Sequence, residues 1–292
     1  MSESLGQRRG WLVVALAAVV AMAAVGPATA ADYAGPLIDA HSHVSSATAI
    51  DAYVDAMKRH DVRRVVLLGV GGVQKDDPAW ISAAARKHGD RVLAGIPVPD
   101  PLAPDAAMRL EQALTKVKAH AIGEIHLRQA SRKIDRDPTS PAFSRVLDVA
   151  AKHGLPVVVH AELNDRAAAA LGDALSAHPK AVIVLAHAGE APPARIEPLL
   201  ARHPNLVVDL SGMHFQRTPA LATETGPLDP SWKALIEKMP DRFVMGIDVW
   251  SPRLFEPAML DRLMKWTRRI LGELSPAAAE QVAYRNALRV YR

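Results

Sequence analysis

The feature that most constrains this chain is an alternation that starts at Leu37 and repeats eight times. A short apolar run, rich in β-branched residues, is followed each time by a longer stretch with helical spacing of Ala, Leu and Arg. The runs are Leu37–His41, Val65–Gly69, Val92–Pro97, Ile122–Leu127, Pro156–His160, Val182–His187, Leu206–Leu210 and Phe243–Ile247. Between them lie helical patterns at Ala49–Arg59, Ala79–Lys87, Ala106–Ala119, Ala142–Lys152, Arg166–Ala177, Ala194–Arg202 and Ser231–Met239, with two more at Pro257–Leu271 and Pro276–Arg289. Strands that are apolar on both faces belong to parallel sheets covered by their own crossover helices. Eight such units predict an α/β fold, a single-domain (β/α)8 TIM barrel, which typically needs about 250 residues. A doubly wound sheet would carry a dinucleotide fingerprint after its first strand, but His41-Ser42-His43 stands there. Gly69-Val70-Gly71-Gly72 lacks the third spaced glycine and reads as a loop.

The first thirty residues read differently. Arg8 and Arg9 precede an uncharged apolar run from Trp11 to Val25, Pro27 breaks it, and Ala28-Thr29-Ala30 supplies a small-residue cleavage pattern. This predicts a signal peptide over residues 1–30, an enzyme domain over 31–292, and export to the periplasm or beyond. Arg8-Arg9-Gly10-Trp11-Leu12 also resembles a twin-arginine export signal. The run is shorter than the roughly 20 residues a spanning helix requires, and no later run reaches that length, so no stable membrane anchor is expected. With residues 1–30 removed, 33 Lys and Arg face 30 Asp and Glu. So small a charge argues against a nucleic-acid partner and for a small-molecule substrate; nothing in the sequence sets an oligomeric state. The absence of cysteine excludes disulfides, thiolate metal sites, a Cys nucleophile and a lipoprotein anchor.

The twelve histidines fall into two groups. His60, His88, His120, His153, His178 and His203 each end a helical stretch, where a basic side chain can meet exposed carbonyls and the negative end of the helix dipole. They belong to the stability face of a barrel. His41, His43, His126, His160, His187 and His214 sit in or just past strand ends, on the face where the catalytic loops gather.

His41 and His43, two apart on an extended segment, point the same way and can grip one cation. Glu124, on the fourth strand, could bridge two cations. His160 and His187 end the fifth and sixth strands. Asp248, after Phe-Val-Met-Gly-Ile, is a charge that burial makes costly without a partner. His126 and Arg128 alternate with Glu124 on the fourth strand and are candidate substrate-binding residues. Arg128 offers a fork suited to carboxylate or phosphate, and a loop ion pair with Asp135 or Asp137 is its alternative. Asp39 reads as support for the first strand, and Asp209, Ser211 and Trp250 as pocket lining or structure.

With these residues in order, the chain resembles the amidohydrolase superfamily of metal-dependent hydrolases. The matching residues are Ile38-Asp39-Ala40-His41-Ser42-His43, Glu124, His160, His187-Ala188-Gly189, Asp248 and the closing Arg285-Asn286-Ala287-Leu288-Arg289-Val290-Tyr291. The resemblance implies that His41, His43, His160 and Asp248 bind metal, and that His187 binds a second metal or polarises the substrate. No lysine stands at the fourth strand to bridge two metals; Glu124 there resembles the TatD pattern, whereas the closing helix resembles the amidohydrolase-2 branch. The expected cofactor is one or two divalent ions, zinc first, with manganese, iron or magnesium as alternatives. Asp248 and His187 are the expected catalytic residues.

These readings predict a hydrolase that uses a metal-activated water to cleave an ester, lactone, amide or related bond in a small molecule. Asp248 would take the proton from that water and pass it to the leaving group. The alternatives are a decarboxylase of the same fold, a TatD-like phosphoesterase or nuclease, and a non-catalytic periplasmic metal-binding protein. Substrate choice is expected in the loops Gly71–Asp77, Gln129–Ser140 and Met213–Asp229.

Overall fold

A computed structural model describes residues 31–46, 48–70 and 76–292. The expected signal peptide, and most of the loop Gly71–Asp77, lie outside the described residues. Eight parallel strands follow one another around the sheet: β1 Leu37–Ser42, β2 Val62–Leu67, β3 Val92–Ile96, β4 Ala121–Gln129, β5 Val157–Ala161, β6 Ile183–Leu185, β7 Leu206–Asp209 and β8 Phe243–Val244. The sheet closes through backbone hydrogen bonds beyond β8: Ala40 N donates to Met245 O at 2.9 Å, Asp248 N to His41 O at 2.7 Å and His43 N to Val249 O at 2.8 Å. The result is a nearly closed (β/α)8 barrel.

The helices are α1 Ala49–Arg59, α2 Asp77–His88, α3 Ala106–Leu114, α4 Pro141–His153, α5 Asp165–Ala177, α6 Pro193–Arg202, α7 Pro230–Lys238 and α8 Pro257–Gly272. No helix of the described residues is long and apolar enough to cross a membrane. A final helical stretch, Pro276 to Val290 with a wider turn at Gln281–Arg285, follows. Asn286 anchors it by donating to the carbonyls of Pro240 and Phe243, each at 2.7 Å.

Alternation along the strands sorts the core into two layers. Ile38, Ala40, Val66, Leu68, Val158, Val184, Val207 and Val244 fill the barrel interior, and Val290 and Tyr291 pack against them. Leu37, Val65, Val157, Val159, Ile183 and Val208 face outward to the helices.

The sequence predicts that the helix-ending histidines meet helix-end carbonyls; instead His60, His88, His153 and His178 reach across to a carboxylate on a neighbouring helix, and His120 Nδ1 meets Arg292 O at 2.7 Å. Lys87 and His88 both meet Asp51 of α1, at 2.7 and 2.9 Å. Lys152 and His153 both meet Glu111 of α3, at 2.7 and 2.9 Å. Arg59 and His60 share Asp261 of α8, at 2.9 and 2.8 Å. The short turns carry each Lys-His or Arg-His pair to the seam between helices, where a carboxylate is a better acceptor than a carbonyl already in solvent.

Candidate metal centre

His41, His43, Glu124, His160, His187 and Asp248 meet at the C-terminal mouth of the barrel, each at most 4% exposed. One of them arrives by plain alternation: on β5, Val158 and His160 both point inward. Past β8, Asp248 keeps the parity of Val244 but at a left-handed φ of +61°. The others depend on local irregularity. On β4, Ala121 faces the interior and Ile122 and Ile125 face the helices, with a register shift between the two isoleucines. Gly123 is the extra residue of this bulge, at φ +134°, and a Cβ there would lie 2.5 Å from Val158 O. The bulge turns Glu124 and His126 into the mouth. A shift between Asp39 and Ser42 does the same on β1, where His41 follows the inward-facing Ala40. After β6 the chain turns through three left-handed residues, His187, Ala188 and Gly189. Non-glycine residues rarely adopt this conformation, and such strain, about 1–3 kcal/mol per residue, concentrates at functional sites.

Hydrogen bonds behind the ligand atoms set the imidazole tautomers. His41 Nδ1 lies 2.7 Å from Asp209 Oδ2, His43 Nδ1 lies 2.8 Å from Leu68 O, and His187 Nδ1 lies 2.9 Å from Ser211 O. These oxygens only accept, so each Nδ1 carries the hydrogen and each Nε2 presents a lone pair. The lone pairs converge. His41 Nε2 is 3.2 Å from His43 Nε2, and Glu124 oxygens lie 3.8, 3.6 and 3.2 Å from the Nε2 atoms of His41, His43 and His187. Asp248 Oδ1 is 3.4 Å from His43 Nε2. His160 places Nδ1 3.1 Å from Glu124 Oε1, while its buried Nε2 has no partner among the described residues. A set of nitrogen and oxygen lone pairs facing one another in a buried space fits a divalent cation, and the carboxylate behind His41 is the support that metal-bound histidines usually have. Three overlapping groups of these six residues could hold an ion, namely His41, His43 and Glu124; His41, His187 and Asp248; and Glu124, His160 and His187, and a fourth joins His160 to Glu162 and Glu190. The donors thus admit one ion or two.

His126 also reaches the cluster, in a different capacity. Arg132 Nη1 donates to its Nδ1 at 2.7 Å, so the hydrogen sits on Nε2, 3.1 Å from Glu124 Oε2. It supports Glu124 as a donor. Arg128 is not brought to the cluster. A second register shift, between His126 and Arg128, ends the alternation, and its guanidinium donates to Glu162 O at 2.6 Å. Neither Asp135 nor Asp137 is its side-chain partner; that is Glu162, at 3.7 Å. The cations at the site are two that the sequence did not single out, Arg132 and Arg217. Arg217 donates to Asp248 Oδ2 at 2.6 Å. With Gln129 and the half-exposed Trp250 they line a cavity of about 280 Å³ over the ligands. Glu162 and Glu190, also not singled out, stand beside His160 at the rim. Asp209 and Ser211 lie behind the ligands, and Asp39 joins β1 to Ile247 N (2.8 Å) and accepts from Ser42 Oγ and Tyr53 OH.

The amidohydrolase family model Amidohydro_2 matches residues 38–292, nearly the whole described barrel. The chain belongs to this amidohydrolase family. No curated protein matches it. Among solved structures it is similar to an amidohydrolase from Burkholderia multivorans with bound zinc, at TM-score 0.60 and 18% identity over 88% of this chain and 99% of that one. A dihydroxybenzoic acid decarboxylase from Polaromonas with bound manganese and the inhibitor 2-nitroresorcinol aligns at TM-score 0.60 and 14% identity, over 88% and 96%. A 4-oxalomesaconate hydratase from Rhodopseudomonas palustris aligns at TM-score 0.61 and 14% identity, over 87% and 95%. At these identities the likeness concerns the fold.

Charge in this family member is distributed unevenly across the site. Burial alone would raise the Glu124 pKa, but His41 and the close imidazoles of His126, His160 and His187 hold it well below the usual carboxylate range. Asp248 is likewise held down, against its burial, by His187, His43, His41 and Arg217. Burial would lower His41, yet Asp209 and Glu124 carry it well above the ordinary imidazole value. His214, buried beside the site with Nε2 unpartnered among the described residues, is pushed down to about 4 by desolvation.

Proposed function

We propose that this protein is an exported metal-dependent hydrolase that cleaves an ester, lactone, amide or related bond in a small molecule. The observation that carries the reading is the convergence of three Nε2 lone pairs with Glu124 and Asp248 beneath a small open cavity. A bound divalent ion would supply Lewis acidity, polarising a substrate oxygen and lowering the pKa of water. Asp248 is the proton carrier of this chain: Arg217 holds its Oδ2, and Oδ1 faces the site. His187, fixed through Ser211 O, orients the substrate or completes a second ion site. Trp250 offers a flat wall, and the cavity suits a substrate of few heavy atoms.

A second reading, decarboxylation, draws on two guanidinium groups at the rim, Arg132 and Arg217, whose forks suit a carboxylate. A decarboxylase also shares the fold. The experiment is metal analysis of the purified protein, followed by an ester, lactone and amide panel with CO2 release from aromatic acids as a separate arm. Hydrolysis that Asp248→Asn abolishes while bound metal is retained supports the first reading. Metal-dependent CO2 release without hydrolysis replaces it with the second, and a protein that binds no divalent ion refutes both.

A further inference from the structure

At the opposite end of the barrel, several of the helix-ending cations are paired with a carboxylate of a neighbouring helix. Arg59, Lys87 and Lys152 each meet a carboxylate within 2.9 Å. One sector departs from this. A cleft of about 540 Å³ opens between the end of α2, the start of β3 and the segment joining α3 to β4. Arg64, Arg86, Lys116 and Lys118 line it, with His120 and Arg292 at its edge, and Asp90 is its one acid. None of those four cations makes a side-chain hydrogen bond or ion pair with another described residue, whereas His120 Nδ1 is engaged by Arg292 O at 2.7 Å.

Four unit charges around one concavity repel one another. Asp90 and the C-terminal ends of α2 and α3, each equivalent to roughly half an elementary negative charge, leave a clear positive excess. Salt screens such repulsion only beyond about 10 Å, a distance comparable to the width of a cleft this size. The neighbouring sectors resolve the same crowding with a carboxylate from the adjacent helix, and this one presents an open, half-walled space instead. Concave positive surfaces focus field lines and raise the local concentration of anions.

We propose that this cleft is a binding site for a multiply charged phosphate, held by Arg64, Arg86, Lys116 and Lys118 and separate from the metal centre. Arg64, half-buried at the start of β2, supplies a forked donor from the floor; the two lysines supply point charges from the wall. The phosphate comes either from a free small molecule or from a lipid headgroup.

The test uses the full metal-loaded protein and two probes. Inorganic pyrophosphate is titrated calorimetrically, with metal content measured before and after. Vesicles of phosphatidylcholine with and without 30% phosphatidylglycerol (about a third anionic lipid, a surface that attracts basic residues) are tested by co-sedimentation. Variants are Lys116→Gln with Lys118→Gln, the same pair with Arg64→Gln, and Lys238→Gln as a control cation that is paired with Glu197 elsewhere. Saturable pyrophosphate binding that falls at least tenfold in the triple variant, is intermediate in the double and unchanged in the control supports a free phosphate ligand. The same pattern on anionic vesicles alone assigns a headgroup. No saturable binding of either probe, or equal binding by wild type and the triple variant, overturns the proposal.

Discussion

Asp209→Asn isolates the hydrogen bond behind His41. Asp209 is fully buried, with Oδ1 accepting from Ser211 N at 2.8 Å and Oδ2 facing both His41 Nδ1 (2.7 Å) and Ser211 Oγ (2.8 Å). A carboxylate accepts at both positions; an amide has one oxygen and one NH2. Ser211 N–H requires the oxygen at the Oδ1 position, which places the NH2 opposite His41 Nδ1. The imidazole then has to accept there and carry its hydrogen on Nε2, which removes the lone pair directed at the centre. Turning the amide over restores the tautomer but leaves Ser211 N–H facing an NH2, a buried unsatisfied donor that costs about 1–3 kcal/mol. At about 1.4 kcal/mol per tenfold this is roughly a 5- to 150-fold loss, which agrees with the 10- to 100-fold typical of removing such support. The assay is competition for zinc between the protein and a chromophoric chelator at neutral pH, with thermal denaturation to confirm folding. A zinc affinity within about threefold of wild type, in a variant that melts normally, would refute the tautomer argument and with it the assignment of His41 Nε2 as a ligand.

Other expectations follow from neighbouring contacts. His126→Phe keeps the ring and removes the N–H given to Glu124, so zinc affinity should fall about tenfold. His126→Gln should recover most of it in the same competition assay. Gly212 has φ +67°, and a Cβ there would lie 2.8 Å from both Asp248 Oδ2 and His187 Nδ1; Gly154 has φ +65° with nothing within 4 Å. Both alanine variants should lose about 1–2 kcal/mol of stability to the backbone conformation, but Gly212→Ala alone should lose bound metal, measured by elemental analysis. Acid should weaken the metal-free protein in a defined direction. Glu124 and Asp248 have folded pKa values below their unfolded ones, so the stability they contribute is present above about pH 4.5 and is lost as pH falls through the folded values. Melting temperature should therefore drop between about pH 5 and pH 3, and Glu124→Gln should flatten that slope. An unchanged slope would mean that Glu124 is not the group being protonated.

The barrel was legible because its strands are uniformly apolar and its helices carry their own stops. β8 shows the limit of that reading. Phe243 to Ile247 reads as one strand, yet only Phe243–Val244 pair in the ladder, and the rest is held by β1 backbone and by Asp39. Hydrophobicity marks what is buried, and a closing seam is buried whether or not its hydrogen bonds are regular. The site divides along the same line. His160 keeps the alternation of the core residues before it, so its direction follows from parity alone. His41, Glu124, His187 and Asp248 each come in through an extra residue or a left-handed conformation, and their places at strand ends, not parity, pointed to them. Arg128 went astray for the converse reason: its placement assumed that the alternation through Glu124 and His126 continued, and a register shift ends it one step earlier. Arg132 and Arg217 lie in the loops Gln129–Ser140 and Met213–Asp229, where no period constrains direction. Parity therefore locates a side chain only while the ladder is regular, and at this mouth the ladder is least regular where the ligands enter. A strand that simply alternates delivers one inward side chain per two residues, about 7 Å apart. Bringing ligand atoms to within 4 Å of one another requires departures from that spacing, which is a physical reason for bulges and strained turns to coincide with the metal centre.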